Sequence, residues 1–97
     1  MLFLKLAMGH ALADFALQND FVAKYKSHKS GADFWFWVLL AHSLIQGGMV
    51  YIITGNIVLG IIETILHGII DFLKCEGVFG FHVDQTLHYI CKLVYCI

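Results

Sequence analysis

Ionisable side chains recur four residues apart inside apolar runs at four places along this chain: His10/Asp14, His42/Gln46, Glu63/His67/Asp71 and Asp84/His88. Gln18 extends the first set by one more step. Four residues is close to one helical turn, so on a helix each set forms a stripe along one face. The flanking residues are Leu, Ile, Val, Phe and Trp, and a carboxylate or imidazole among them is costly unless it is paired, hydrogen-bonded or metal-bound. Several helices that carry such stripes satisfy them together by turning them inward on one polar site. The spacing therefore predicts an all-α fold, a small membrane helical bundle of about four helices with inward-facing His, Asp and Glu stripes.

The composition agrees. With 97 residues the chain makes one domain, 1–97, whose water-soluble core would be modest. Its apolar fraction is 60%, well above the globular norm, and the mean hydropathy of +0.79 favours a lipid bilayer as surroundings. A formal net charge of -1, with no arginine, leaves no basic stripe for nucleic acid. The opening stretch, MLFLKLAMGHALADF, lacks a basic leader region and is interrupted by His10 and Asp14, so it reads as a retained helix, not a cleaved signal. Cys75, Cys91 and Cys96 are odd in number and lack C-x-x-C spacing, and read as small apolar fillers.

Along the chain, a first helix is expected from Leu2 to Tyr25, followed by the polar loop Lys24 to Asp33 with a turn near Ser30-Gly31. Asp33 is the expected N-cap of a second helix, FWFWVLLAHSLIQGGMVYIIT, long enough to cross a hydrocarbon core of about 30 Å. Its aromatic start, Phe34 to Trp37, suits a membrane interface. Thr54-Gly55-Asn56 makes a tight turn, and Asn56 caps a third helix, IVLGIIETILHGIIDFLK, antiparallel to the second. These two are the expected spans. A fourth helix runs from Val83 to the C-terminus, about 22 Å long and too short to span upright. Lys24, Lys26 and Lys29 place the first loop on the cytoplasmic side, with Lys26 and Lys29 facing the membrane surface. His28 and His82 read as loop residues.

Mixed imidazole and carboxylate donors suit a divalent metal, Zn²⁺ first, with Mn²⁺ or Fe²⁺ as alternatives. The candidates His10, Asp14, His42, Glu63, His67, Asp71, Asp84 and His88 exceed one tetrahedral shell, so either two metals bind or some carboxylates act as supporting partners and a general base. His10, Asp14, His67 and Asp71 are the expected holders of the metal, and Asp84 and His88 complete the shell. His42 is a fourth-side ligand or a helix contact. Glu63, one turn before His67, is the candidate base, and Lys74 or Gln85 steadies developing negative charge. Lys26 is an alternative to Lys74 for reaching a substrate phosphate. Gly47-Gly48 and Gly60 with Gly68 permit close helix approach.

Three segments, H-A-L-A-D-F-A-L-Q (His10 to Gln18), H-G-I-I-D-F-L-K (His67 to Lys74) and D-Q-T-L-H (Asp84 to His88), with Lys26-Ser27 and His42 between them, resemble a small bacterial and bacteriophage membrane-protein family of unknown function. The resemblance covers essentially the whole chain and implies a bacterial inner membrane, in a phage-infected host, as its location. It carries over to His10, Asp14, Gln18, Lys26, His42, His67, Asp71, Lys74, Asp84, Gln85 and His88, with Glu63 less securely included. A looser similarity, in residue types alone, is to bacterial membrane-bound metal-dependent hydrolases.

Two functions are compatible with these observations. One is a membrane-embedded metal-dependent hydrolase acting on a phosphate- or ester-containing substrate. The other is a non-enzymatic phage-type membrane protein that binds a host partner or forms homo-oligomers through its polar stripes. Stripes that combine His with Asp or Glu are richer than association requires, which favours the enzyme.

Overall fold

A computed structural model describes residues 2–16 and 18–97 and contains helices joined by short turns. α1 is Leu2–Ala11, α2 is Asp20–Tyr25, α3 is Trp35–Thr54, α4 is Ile57–Cys75 and α5 is Phe81–Val94. α1 lies against α3 and α5, and α4 lies against the same two helices, so these four enclose a common axis. α2 packs on α3 at one end. The molecule is 40 Å long and 22 Å across.

The first expected helix is not continuous. α1 passes into a single π-helical segment, Leu12–Ala16, which carries Asp14. The chain then leaves the helix, and Asn19 restarts it as the N-cap of α2, accepting a 2.9 Å bond from the Val22 amide. Leu17, inside that expected helix, lies outside the described residues. The Asn19 side chain supplies an acceptor for an amide that would otherwise lack one, which makes restarting the helix favourable there.

The start of α3 also differs from expectation. Phe34, not Asp33, is its N-cap, and no side chain caps it. The turn into α4 forms as expected: Gly55 adopts the left-handed φ of 70°, and its amide bonds to the Tyr51 carbonyl at 2.8 Å. Asn56 accepts from the amides of Val58 and Leu59. α5 begins two residues early, at Phe81, so the expected loop residue His82 is helical and exposed.

Helix α3 is long and apolar enough to cross a membrane. α4, expected as a second span, has similar length but carries Glu63, Asp71 and Lys74 within its 19 residues, too many charges for the same description. Among the described residues twelve polar or ionisable side chains are buried against five apolar ones, so the interior is not a conventional hydrophobic core. The outer surface is the apolar part, with Trp37 68%, Ile52 77% and Ile65 57% exposed. An apolar cluster of Leu6, Val50 and Tyr95, flanked by Ile53, Leu59 and Cys91, closes one end.

Close approach of α3 and α4 depends on glycine. A Cβ on Gly47 would fall on the Thr64 hydroxyl and within 2.5 Å of the Gly60 carbonyl oxygen, whereas one on Gly48 would meet nothing within 4 Å. Gly47→Ala is therefore expected to cost about 1–3 kcal/mol through overpacking. Gly48→Ala should cost nothing and gain slightly from helix propensity. Thermal unfolding of the two variants, followed by circular dichroism, checks the difference.

Candidate metal centre

The buried stripe of each helix in the ring is its polar stripe. α1 turns in His10, and the π segment turns in Asp14. α3 contributes His42 and Gln46, α4 contributes Glu63, His67 and Asp71, and α5 contributes Asp84, His88 and Lys92. Glu63, His67 and His88 are completely shielded from solvent. Helical spacing places these groups in rows, and the ring of helices brings the rows together.

Asp71 occupies the middle. Its Oδ2 lies 3.3 Å from Nε2 of both His42 and His67, and its Oδ1 lies 3.3 Å from Nε2 of His88. Asp14 Oδ1 stands 3.2 Å from His42 Nε2 and 3.9 Å from His67 Nε2. Asp14, His42, His67 and Asp71 thus present four donor atoms within 4.8 Å of one another. Asp71, Asp84 and His88 present a second, adjoining set, with His88 Nε2 3.3 Å from Asp84 Oδ1. The His67 and His88 rings stack with centroids 4.1 Å apart, so the two sets are neighbours.

Several donors lack a conventional partner. Both His67 ring nitrogens and Asp84 Oδ1 are buried without a hydrogen bond among the described residues. Buried polar atoms are normally satisfied, so such groups require an explanation. Tetrahedral coordination with bonds of roughly 2.0–2.1 Å separates neighbouring donors by about 3.3 Å, longer than a good hydrogen bond and close to the distances here. The donor chemistry and spacing therefore fit a divalent cation.

Charge supports the same fit. Asp14, Glu63, Asp71 and Asp84 are the buried carboxylates, and Lys26 and Lys92 are the buried ammonium groups, which leaves two negative charges. Lys92 pairs with Glu63, and Lys26 bonds to Asp71 at 2.9 Å. The unmatched carboxylates are accordingly Asp14 and Asp84. Uncompensated charge in a low-dielectric interior is expensive, and either protons on the imidazoles or a metal ion must offset it.

The remaining candidates take supporting positions. Gln85 donates to Asp14 Oδ2 at 2.8 Å and to Asp84 Oδ2 at 3.1 Å, linking the two sets, and its carbonyl oxygen lies 3.1 Å from His10 Nε2. His10 is 3.7 Å from Asp14 Oδ2, beside both donor sets but in neither. Glu63 stands on the far side of His67, 3.6 Å from Nδ1, and accepts a 2.9 Å bond from the Tyr95 hydroxyl. This is the position of a carboxylate that orients a ligating imidazole. Gln46 reaches Asp14 Oδ1 at 3.4 Å.

Lys74 lies away from the cluster, 6.0 Å from the centre of the Phe81 ring. Lys26, expected at the membrane surface, is instead buried and bonded to Asp71 and Gln18. His28 and Lys29 do stay at the exposed end, where both contact Glu76 and tie the first loop to the end of α4. Lys92 and Tyr95 were not among the expected site residues. Lys92 continues Asp84 and His88 at the same four-residue step, which is the signal that could have found it.

A family model described as "Protein of unknown function (DUF3307)" matches residues 2–97. Comparisons with curated proteins and with solved structures give no match.

The Lys92–Glu63 pair makes a stability prediction. Lys92→Met leaves the Glu63 carboxylate buried without its cation and should cost about 3–5 kcal/mol, as breaking one side of a buried pair does. The double variant Glu63→Gln/Lys92→Met should recover most of that loss. Denaturant unfolding of the single and double variants measures both.

Proposed function

This chain belongs to the DUF3307 family, whose description assigns no activity, and from its buried donor cluster we propose that it is a membrane-embedded, metal-dependent hydrolase. Its substrate contains a phosphate or ester group. The observation that carries the proposal is the Asp14–His42–His67–Asp71 set, four buried donors within 4.8 Å of one another, with His67 Nε2 lacking a hydrogen bond. Two imidazoles and two carboxylates favour Zn²⁺, and Mn²⁺ or Fe²⁺ are acceptable to the same donors.

In this reading a cation held by Asp14, His42, His67 and Asp71 would lower the pKa of a water towards about 7 and so supply hydroxide at neutral pH for attack on phosphorus or the carbonyl carbon, with the ester bond to the alcohol breaking and the proton given up by the water ending on the leaving alcohol. Of the two lysines that are candidates for a substrate phosphate, Lys26 and Lys74, the buried Lys26 ammonium, bonded to Asp71, would hold the anionic part of the substrate. Gln85 keeps Asp14 and Asp84 oriented. Glu63, 3.6 Å from His67 Nδ1 on the side away from the donor set, would orient that imidazole for a metal on Nε2, a positioning role in place of that of general base.

A membrane setting is supported by the arrangement of polarity. The apolar residues face outward, the polar ones face inward, and α3 has the length of a span. The protein should therefore stay with the membrane fraction through an alkaline wash and need detergent for extraction; release into plain buffer would overturn this part.

Detergent-purified protein should contain stoichiometric transition metal by elemental analysis, and chelation should abolish its turnover of a chromogenic phosphodiester or carboxylic ester. His67→Ala should remove both metal and turnover while helicity remains, and Glu63→Gln should weaken metal binding by about 10–100-fold. Protein that never carries metal, and that loses its assembly in His67→Ala, would instead indicate the non-enzymatic reading in which the stripes hold helices or subunits together.

A further inference from the structure

The two carboxylate oxygens of Asp71 serve different groups. Oδ2 faces His42 and His67 and accepts a 2.9 Å bond from Lys26, and Oδ1 faces His88. A carboxylate used on both oxygens in this way is the usual link between neighbouring metal ions. The unmatched negative charge is divided accordingly, with Asp14 in one donor set and Asp84 in the other. Each set also has its own buried atom without a hydrogen bond, 3.3 Å from a potential co-ligand: His67 Nε2 beside Asp71 Oδ2 in the first and Asp84 Oδ1 beside His88 Nε2 in the second.

We propose that the centre is dinuclear, with Asp71 bridging a first cation held by Asp14, His42 and His67 and a second held by Asp84 and His88. The proposal rests on the reading that the first donor set binds metal. The two positions differ in what they can do. The first has four protein donors, so a water on its ion would be a fifth ligand. The second has three, Asp71 Oδ1, Asp84 Oδ1 and His88 Nε2, and keeps a position open for water or a substrate oxygen. With two carboxylates and one imidazole it favours a harder ion such as Mn²⁺ more than the first set does. Two divalent cations also exceed the residual charge of the cluster, so a hydroxide and an anionic phosphate ester would restore neutrality. The dinuclear centre thus selects an anionic substrate.

The test uses the full chain in detergent, stripped with chelator and titrated with Mn²⁺ alone, followed by electron paramagnetic resonance and metal analysis. Two Mn²⁺ per chain with the spectrum of an exchange-coupled pair are expected. Asp84→Asn and His88→Ala should each leave one uncoupled Mn²⁺ with its six-line spectrum, and Asp71→Asn should abolish the coupling. Circular dichroism on every variant separates loss of a site from loss of fold, and the near-isosteric Asp84→Asn guards against misfolding. One Mn²⁺ in the unmodified chain, unaffected by Asp84→Asn but lost in His67→Ala, would overturn the second site and leave the first standing. A single ion lost with either substitution would mean one shared position and overturn the bridge. No bound Mn²⁺, Zn²⁺ or Co²⁺ would overturn the first reading as well.

Discussion

The Asp71 carboxylate meets imidazoles from three helices and an ammonium from a fourth segment: His42 of α3, His67 of its own α4, His88 of α5 and Lys26 just after α2. It is 1% exposed, and at this depth an ionised group must be surrounded by donors or cations. The ring of α1, α3, α4 and α5 meets that requirement. Each helix turns its polar stripe to the axis and leaves its apolar faces outside. Removing any one helix would strand the charges of the others, so the polar centre specifies the arrangement of helices as much as the helices build the centre.

That dependence explains the unusual division of labour in the packing. Buried apolar residues cluster at one end, around Leu6, Val50 and Tyr95, with Ala13 and Leu39 buried elsewhere, and the glycine contact between α3 and α4 lets their backbones approach. Along the rest of the axis, hydrogen bonds and charge pairs replace hydrophobic contacts. Two layers result. Glu63, Lys92 and Tyr95 form a closed, internally satisfied group behind His67, while Asp14, Asp71 and Asp84 face nitrogen donors at distances that suit metal coordination. The closed layer backs the His67 imidazole, and the other layer gathers the donor atoms that could hold a cation.

Much of the site was legible in the spacing alone. His10, Asp14, His42, Glu63, His67, Asp71, Asp84 and His88 are all buried, because a four-residue step keeps a stripe on one helical face whatever the neighbouring helices do. Roles were less legible. Lys26 belongs to the polar loop by sequence yet is buried, because α2 folds back so that its ammonium reaches Asp71. Lys74 shares the stripe of α4, but its ammonium lies over the Phe81 ring. The break of the first helix was also hidden, since a π segment and a side-chain-capped restart leave no mark on hydrophobic periodicity.

By itself the sequence determined that the chain is helical, that its polar groups lie in stripes and that those stripes must find one another, because apolar surroundings leave ionisable groups no other stable arrangement. Only the tertiary structure decided which atoms meet. It set Glu63 behind His67 and not against the centre, brought Lys26 and Lys92 in as counter-charges and turned the two oxygens of Asp71 towards different donor sets. The physical reason is that helical periodicity fixes the face on which a residue lies, whereas the depth and rotation of one helix against another fix its distances to the residues of the other helices.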